Sequence, residues 1–521
     1  DAASDFFVLH LWGSVYTEKP PLFFWLTRAT VPFTGGVNLT TLFVPVVLAS
    51  CLLLWLTSAV AARWYGVRAG ILAVVVLLTL PLFLLLSSIG RMDMLLALSV
   101  TAAVAAFYRG YVDDCRRSRV LAYAWMGLGL LAKGPFGIVF PLLIAVTALV
   151  LSRRTSRLWC RESMVGVAVL LGVIACWLGP ATYFAGVGYF EELLGRQVMQ
   201  RALAGVSHGE PPYFYLWVLP IILLPWVVFL WPSLRSSWVH WRERRDPREL
   251  WLLSWVLVPL AVLSLVREKL PVYLLPAMPP IAILIARHWS EVFASGEYSL
   301  RLRFRVGCLF ALTAVLGLVS LASAMLIVHT PSEPGVVRIG DLLTIPTDNE
   351  ISCLMLQPPT LCFGGAVLVL LAIVGWASMR TASHRSLMWT FATLSTVTPC
   401  GILFMAIKVM PTLDAGQSWR AVADALATVQ DSGEPVVAFG LRPFAAYYLN
   451  DDVTWFKKHN SLGDFVERSG SVWCATYEDE LSEIERCCVV EHDPAWWYPS
   501  PSGPILLLHL RPLAVADRNY R

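Results

Sequence analysis

Apolar runs long enough to cross a bilayer recur from near Thr41 to Val409, and they constrain this chain more than any motif in it. A helix needs roughly 20 apolar residues to span the hydrocarbon core. In lipid every backbone N–H and C=O must find its partner within the protein, so such runs fold as helices. We place about twelve of them, near Thr41 to Ala62, Ala69 to Ser88, Met94 to Tyr108, Val120 to Leu131, Phe136 to Leu151, Val165 to Phe184, Tyr213 to Trp231, Leu250 to Val266, Val272 to Ala286, Val306 to Val328, Leu361 to Met379 and Leu387 to Val409. Charged residues make up 15% of the chain, well below the usual quarter of a soluble protein. The expectation is a polytopic α-helical membrane protein.

The connecting loops alternate in charge. Arg63, Arg116, Arg117, Arg153, Arg154, Arg242, Arg244, Arg287, Arg301, Arg303, Arg305, Arg380 and Arg385 fall on one side, which the positive-inside rule assigns to the cytoplasm. Those loop arginines account for the net charge of +4, so no nucleic-acid partner is expected. An even number of spans leaves the opening loop and the C-terminal part both outside, and one further helix is expected upstream of Asp1. From about Pro411 the composition turns mixed polar, with helical and strand patterns alternating. We divide the chain into a membrane domain, 1–410, and a small extracytoplasmic α/β domain, 411–521, which shows no phosphate loop and no nucleophile elbow.

Eleven cysteines are scattered, mostly in apolar spans. Cys353 with Cys362, and the vicinal Cys487-Cys488, are the pairs near enough in sequence to invite a disulfide, and none has zinc spacing.

Against the positive-inside bias, basic residues kept on the outer side need a reason. Tyr16-Thr17-Glu18-Lys19-Pro20-Pro21 sets an acid beside a base where two prolines stop any helix; it reads as a rigid turn or as part of a site. Arg91-Met92-Asp93 lies where one span hands over to the next. Lys133-Gly134 reads equally as a helix C-cap or as a ligand. The long outer loop from Gly188 to Pro212 holds Arg196, Arg201 and His208, and Lys269-Leu270-Pro271-Val272-Tyr273 leads into a proline-rich span. Cations with carboxylates and aromatic rings on one membrane face suit a phosphate-bearing lipid, whose oxygens Arg grips bidentately while its tail lies among the spans.

These motifs, in this order and at these separations, resemble the lipid A aminoarabinose transferases, which stand with the protein mannosyltransferases among membrane-embedded glycosyltransferases of the GT-C type. The resemblance implies inverting transfer of a sugar, 4-amino-4-deoxy-L-arabinose in those enzymes, from an undecaprenyl-phosphate donor to lipid A at the outer face of the bacterial inner membrane. It implies catalytic roles for Lys19 and Asp93, and substrate binding by Tyr16, Arg91, Lys133, Arg196, Arg201, Lys269 and Tyr273. It further implies that Glu18 and His208 hold a divalent metal, zinc, manganese or magnesium, and that the main catalytic Asp stands upstream of residue 1. Another sugar or acceptor, as in protein O-mannosylation, is the nearest alternative. A lipid or solute transporter is the alternative of a different class, disfavoured because the charges gather at one membrane face rather than at the midplane.

Overall fold

The computed structural model describes residues 4–11, 14–192, 210–296, 299–329, 336–339, 343–346, 358–380, 383–404, 424–426, 428–429, 433–441, 453–456, 459–491, 497–498 and 505–512. The chain divides into two compact units, Asp1–Val319 with Gly364–Leu403, and Ser320–Phe363 with Phe404–Arg521.

The first unit is a helical bundle. It opens with a short turn of helix, α1 (Ser4–Phe7), and a two-stranded hairpin, β1 (His10–Leu11) and β2 (Ser14–Val15). The Tyr16 N–H donates to the Leu9 carbonyl at 2.7 Å, tying the end of the hairpin back on itself. Pro20 and Pro21 then precede α2 (Leu22–Thr34), which starts as soon as the prolines permit it. Asn38 and Thr41 cap each other's backbone to begin α3 (Leu39–Tyr65). There follow α4 (Val67–Leu78), α5 (Pro81–Ser87), α6 (Asp93–Tyr111), α7 (Arg116–Lys133), α8 (Phe136–Leu151), α9 (Arg161–Ala185) and the short α10 (Val187–Glu192). After Glu210 come α11 (Phe214–Ile222), α12 (Val227–Arg244), α13 (Pro247–Leu265), a 3-10 turn at Pro271–Ala277, α14 (Met278–Ser295), α15 (Leu300–His329), α16 (Pro358–Ser378) and α17 (His384–Phe404).

Eight of the described helices are long and apolar enough to cross a membrane, or up to ten when each of two bent pairs counts as one span. About twelve were expected, and the difference has two causes. Helix α7 carries Arg116, Arg117, Arg119 and Lys133 within its 18 residues, and α8 has only 16. The bent pairs are α4 with α5, turning by 70° ahead of Pro81, and α11 with α12, turning by 109° around Pro225. The Trp226 indole N–H donates to the Thr79 hydroxyl at 2.9 Å, so the two breaks meet inside the bundle. Arg287, expected in a cytoplasmic loop, lies instead in α14 with its side chain 7% exposed, because that helix runs on to Ser295.

Helix α6 is the centre of this unit. Nearly every residue from Asp93 to Tyr111 is buried, against α7, α3 and α8. The hairpin of α7 and α8 closes through Gly129 and Gly137: a Cβ on Gly137 would lie 2.1 Å from the Gly129 carbonyl carbon. Gly134 at the tip has φ of +87°, which favours glycine.

The second unit contains a mixed sheet with strand order β6 (Thr454–Phe456), β5 (Val436–Phe439), β7 (Val472–Tyr477), β10 (Ile505–Pro512) and β8 (Cys488–Glu491); β9 (Trp497–Tyr498) also pairs with β10. Strand β5 runs parallel to β6 and β7, and β10 antiparallel to β7 and β8. Helix α18 (His459–Ser469) and the short α19 (Leu481–Ile484) complete the described α/β pattern, with a separate hairpin of β3 (Val336–Ile339) and β4 (Leu343–Pro346). The helix expected over Glu478 to Cys487 is a 3-10 turn plus one turn of α-helix. The cysteines among the described residues are free thiols; those of Cys487 and Cys488 stand 3.6 Å apart, and Cys353 lies outside the described residues.

Candidate active site

Asp93 is the buried centre of the outer group. It occupies the first turn of α6, where the helix dipole favours a carboxylate, and its side chain is 2% exposed. Two cations reach it. The Lys133 ammonium donates to Oδ1, and the Arg91 Nε lies 3.2 Å from Oδ2. Lys133 belongs to the last turn of α7, with the Gly134 N–H donating to the Leu130 carbonyl as a helix end requires. Its amine is nonetheless drawn across to α6, so the cap and the site are one feature.

The Lys133 Nζ also sits 4.7 Å from the centre of the Tyr273 ring. Such a cation–π contact contributes roughly 0.5–2 kcal/mol. Phe136 packs against the same tyrosine, its ring 5.7 Å from that of Tyr273. Lys19, half-buried just ahead of α2, is close enough to act through space on the Lys133 ammonium, as is Arg91. The packing that brings it there is apolar, since Leu22 and Trp25 of α2 join Leu130 and Leu131 of α7 in one cluster. Glu18 beside it is exposed and Tyr16 half-buried.

Lys269 has a different setting. It is 2% exposed, and its ammonium donates to the carbonyls of Glu210, at 2.9 Å, and Val266. Burial holds its pKa below the ordinary lysine value, against the opposing pull of Glu210. The Glu210 N–H donates to the Arg267 carbonyl at 3.2 Å, so Lys269 clamps the end of the long outer loop to the elbow before Pro271. The Tyr215 hydroxyl, donating to the Leu270 carbonyl at 3.2 Å, fixes the same elbow. Neither contact was legible in the sequence, because both end on backbone carbonyls. Nor was Glu268, 7% exposed, whose Oε2 has no hydrogen-bond partner among the described residues.

The structure therefore brings Lys19, Arg91, Asp93, Lys133 and Tyr273 together and sets Lys269 in the supporting elbow. Arg196, Arg201 and His208 lie outside the described residues. Of the two expected metal ligands only Glu18 is described, and no group of three His, Cys, Asp or Glu side chains gathers among the described residues. These donors do not by themselves make a metal site, and no step below runs through one.

Around the Asp93 group the cations Lys19, Arg91 and Lys133 outnumber the carboxylates Asp93 and Glu18. Arg91 is more open than its partner Asp93 and than Lys133, 46% exposed against 2% and 10%. The arrangement can hold anionic oxygens near a fixed, buried carboxylate.

This helical membrane bundle with its broken spans has a GT-C-type fold. The crystal structure of ArnT from Cupriavidus metallidurans bound to undecaprenyl phosphate superposes with a TM-score of 0.75 at 18% identity, covering 97% of this chain and 91% of that one, and shares its fold. The family model described as dolichyl-phosphate-mannose-protein mannosyltransferase matches residues 18–179. An undecaprenyl phosphate-alpha-4-amino-4-deoxy-L-arabinose arabinosyl transferase of Serratia proteamaculans is 27% identical over 338 residues, 62% of this chain and 58% of the relative. The enzyme of the same name from Pectobacterium carotovorum is 28% identical over 537 residues, 99% of this chain and 87% of the relative. The chain thus spans less than two thirds of the first relative's length and most of the second's. It is a multi-pass membrane protein, similar over nearly all of its length to an undecaprenyl phosphate-alpha-4-amino-4-deoxy-L-arabinose arabinosyl transferase and over residues 18–179 to the dolichyl-phosphate-mannose-protein mannosyltransferase model.

Proposed function

We propose that the protein transfers 4-amino-4-deoxy-L-arabinose from undecaprenyl phosphate to a phosphate of lipid A, at the periplasmic face of a bacterial inner membrane, with inversion at the sugar. The observation that carries this reading is the excess of cations around buried Asp93 at one end of the bundle. Both the leaving group and the acceptor are phosphates, so catalysis rests on positioning and on stabilising negative charge. Lys19 and Arg91 hold phosphate oxygens, and Arg91 is open enough to reach them. Lys133, oriented by Asp93 and Tyr273, directs its remaining protons to the leaving phosphate. An acceptor phosphate oxygen attacks the anomeric carbon, and the carbon–oxygen bond to undecaprenyl phosphate breaks, leaving the lipid phosphate. The acceptor is already an anion at neutral pH, so no strong base is required. A divalent cation held by Glu18 and His208 remains part of the proposal, to be tested by elemental analysis of wild type and His208→Ala; equal metal content in the two removes His208 as a ligand.

Membranes containing the full-length protein, given labelled donor and lipid A, test the reaction. The expected outcome is labelled lipid A with wild type and none with Lys19→Ala, although that variant inserts and purifies normally. Wild-type turnover in Lys19→Ala removes Lys19 from the site. The mannosyltransferase match supports a second reading, transfer of mannose to protein. It gains if labelled mannose enters protein while lipid A stays unlabelled. Donor that crosses the membrane without any sugar transfer favours a transporter instead.

A further inference from the structure

The first unit has a groove between the start of α15 and the end of α16, with a volume of about 890 Å³. That is within the roughly 300–1,000 Å³ range of small-molecule sites. Its lining shares no residue with the Asp93 group. Helix α15 buries Leu302, Val306, Leu309 and Phe310 in the bundle. Arg301 and Arg305 are four residues apart and Cys308 three further on, so they share a different face of the helix. Both arginines line the groove, as does Arg303.

The groove exists because the two helices meet closely further along, through glycine. Gly375 packs directly on the Phe310 ring, and Gly317 on the Gly365 carbonyl. Towards the start of α15 the approach is looser, with only the Met379 side chain within reach of Gly307, at 3.8 Å from where a Cβ would lie, and Trp376 and Met379 form the opposite wall.

Charge and polarity point in two directions along this one groove. Arg301 and Arg305 have no ion-pair partner among the described residues, and no lining residue is acidic. The rest of the lining includes Phe304, Cys308, Ala311 and Trp376. Leu300, Phe304 and Trp376 are 83%, 72% and 51% exposed, which in a membrane-spanning helix means facing lipid. The arginines belong to the side that the positive-inside bias makes cytoplasmic. A soluble phosphate compound would leave the apolar part of the groove unused, and an uncharged lipid would leave the arginines unused.

We infer that the groove between α15 and α16 binds an anionic phospholipid of the cytoplasmic leaflet. Its headgroup phosphate lies between Arg301 and Arg305, and an acyl chain runs along Phe304, Cys308 and Trp376. Basic pockets between spanning helices on this side of a membrane recognise anionic headgroups in the same way.

Native mass spectrometry and thermal unfolding of the purified, delipidated full-length protein test this. The probes are phosphatidylglycerol, phosphatidylcholine, and glycerol phosphate as the headgroup alone. The expected result is a retained phosphatidylglycerol adduct and a raised Tm, with neither for the other two probes. Arg301→Gln with Arg305→Gln weakens the adduct at least about tenfold, the equivalent of about 1.4 kcal/mol. Arg301→Lys with Arg305→Lys keeps a measurable adduct, so a loss of binding is separable from misfolding. Arg68→Gln, an exposed arginine at the start of α4, leaves it unchanged. Equal retention of phosphatidylcholine overturns the inference, as does an unaltered adduct in the Gln pair. Protection by glycerol phosphate equal to that by phosphatidylglycerol also overturns it, because it reduces the groove to an ion site.

Discussion

Two groups at opposite ends of the bundle are built from the same parts, yet only one of them is open. At one end Asp93, in the first turn of α6, meets Lys133, whose ammonium lies over Tyr273. At the other end Glu249, in the first turn of α13, meets Arg287, whose guanidinium lies 5.2 Å from the centre of the Tyr65 ring. Both carboxylates are 2% exposed. The two groups stand some way apart, since Tyr108, which packs on Trp64 and Trp251 beside the Glu249 group, is fifteen residues along α6 from Asp93, a rise of about 22 Å.

The difference is in what is left unspent. The Tyr65 hydroxyl donates to Glu249 Oε1 at 3.0 Å, and Arg287 also reaches Glu291 at 2.9 Å and Ser237 at 3.4 Å. Its cation is saturated by protein, so the group is a brace. Around Asp93 the second cation, Arg91, is half in solvent, and Lys19 adds charge that Asp93 alone does not balance. A buried ion pair is therefore weak grounds for assigning a site; a half-exposed cation beside it, such as Arg91, is stronger.

The sharpest way to break this comparison is to remove one acid from each group. Glu249→Ala leaves Arg287 buried without its carboxylate and should cost about 3–5 kcal/mol of stability, read as a lowered Tm and poor recovery in detergent. The pair Glu249→Leu with Arg287→Met should recover most of that loss, because an apolar replacement avoids the stranded charge. If the double variant is as unstable as the single one, the brace is not a simple ion pair. Asp93→Asn should reduce sugar transfer about 10²–10³-fold, the range for losing one pre-organised electrostatic group, with elution and Tm close to wild type. A collapse of folding there, with turnover per folded molecule preserved, would make the Asp93 group a second brace.

Smaller effects sharpen the same distinction. Tyr273→Leu removes the ring beneath Lys133 and should lower kcat/KM by about 2- to 30-fold, corresponding to the 0.5–2 kcal/mol of a cation–π contact. Lys269 gives the smallest signal, through pH. Its folded pKa is lowered by burial, so between that value and the ordinary lysine value of about 10.4 the unfolded chain binds the extra proton. Stability contributed by this residue therefore rises with pH across the window. Wild type should gain stability relative to Lys269→Met as pH rises into the alkaline range, and parallel curves would show that Lys269 titrates alike in both states.

Much of the bundle was legible in the sequence because its signals are local. Run length and composition gave the spans of α3, α6, α9 and α13, whereas α2, which follows the prolines directly, was not placed. Helices α7 and α8, also placed as spans, form where expected but are more charged or shorter than the other spans, with a basic start in one and 16 residues in the other. In the tail, strands β5, β7, β8 and β10 follow their apolar runs, whereas three-residue β6 and two-residue β9 are too short to leave a pattern.

The site divides in the same way. The sequence by itself determined that basic residues stand on the side where topology disfavours them, that prolines break the spans near them, and that Lys133 and Gly134 end a helix. It could not determine that Lys133 reaches Asp93, forty residues away, rather than solvent. That follows from the Gly129–Gly137 approach and from Leu22 packing beside Leu131, which together set the tip of one hairpin against the start of another helix. Nor could it tell that Arg287 is buried in a brace while Arg91 stays open. Ion-pair partners are chosen by distances across helices, and those distances exist only once the helices have packed.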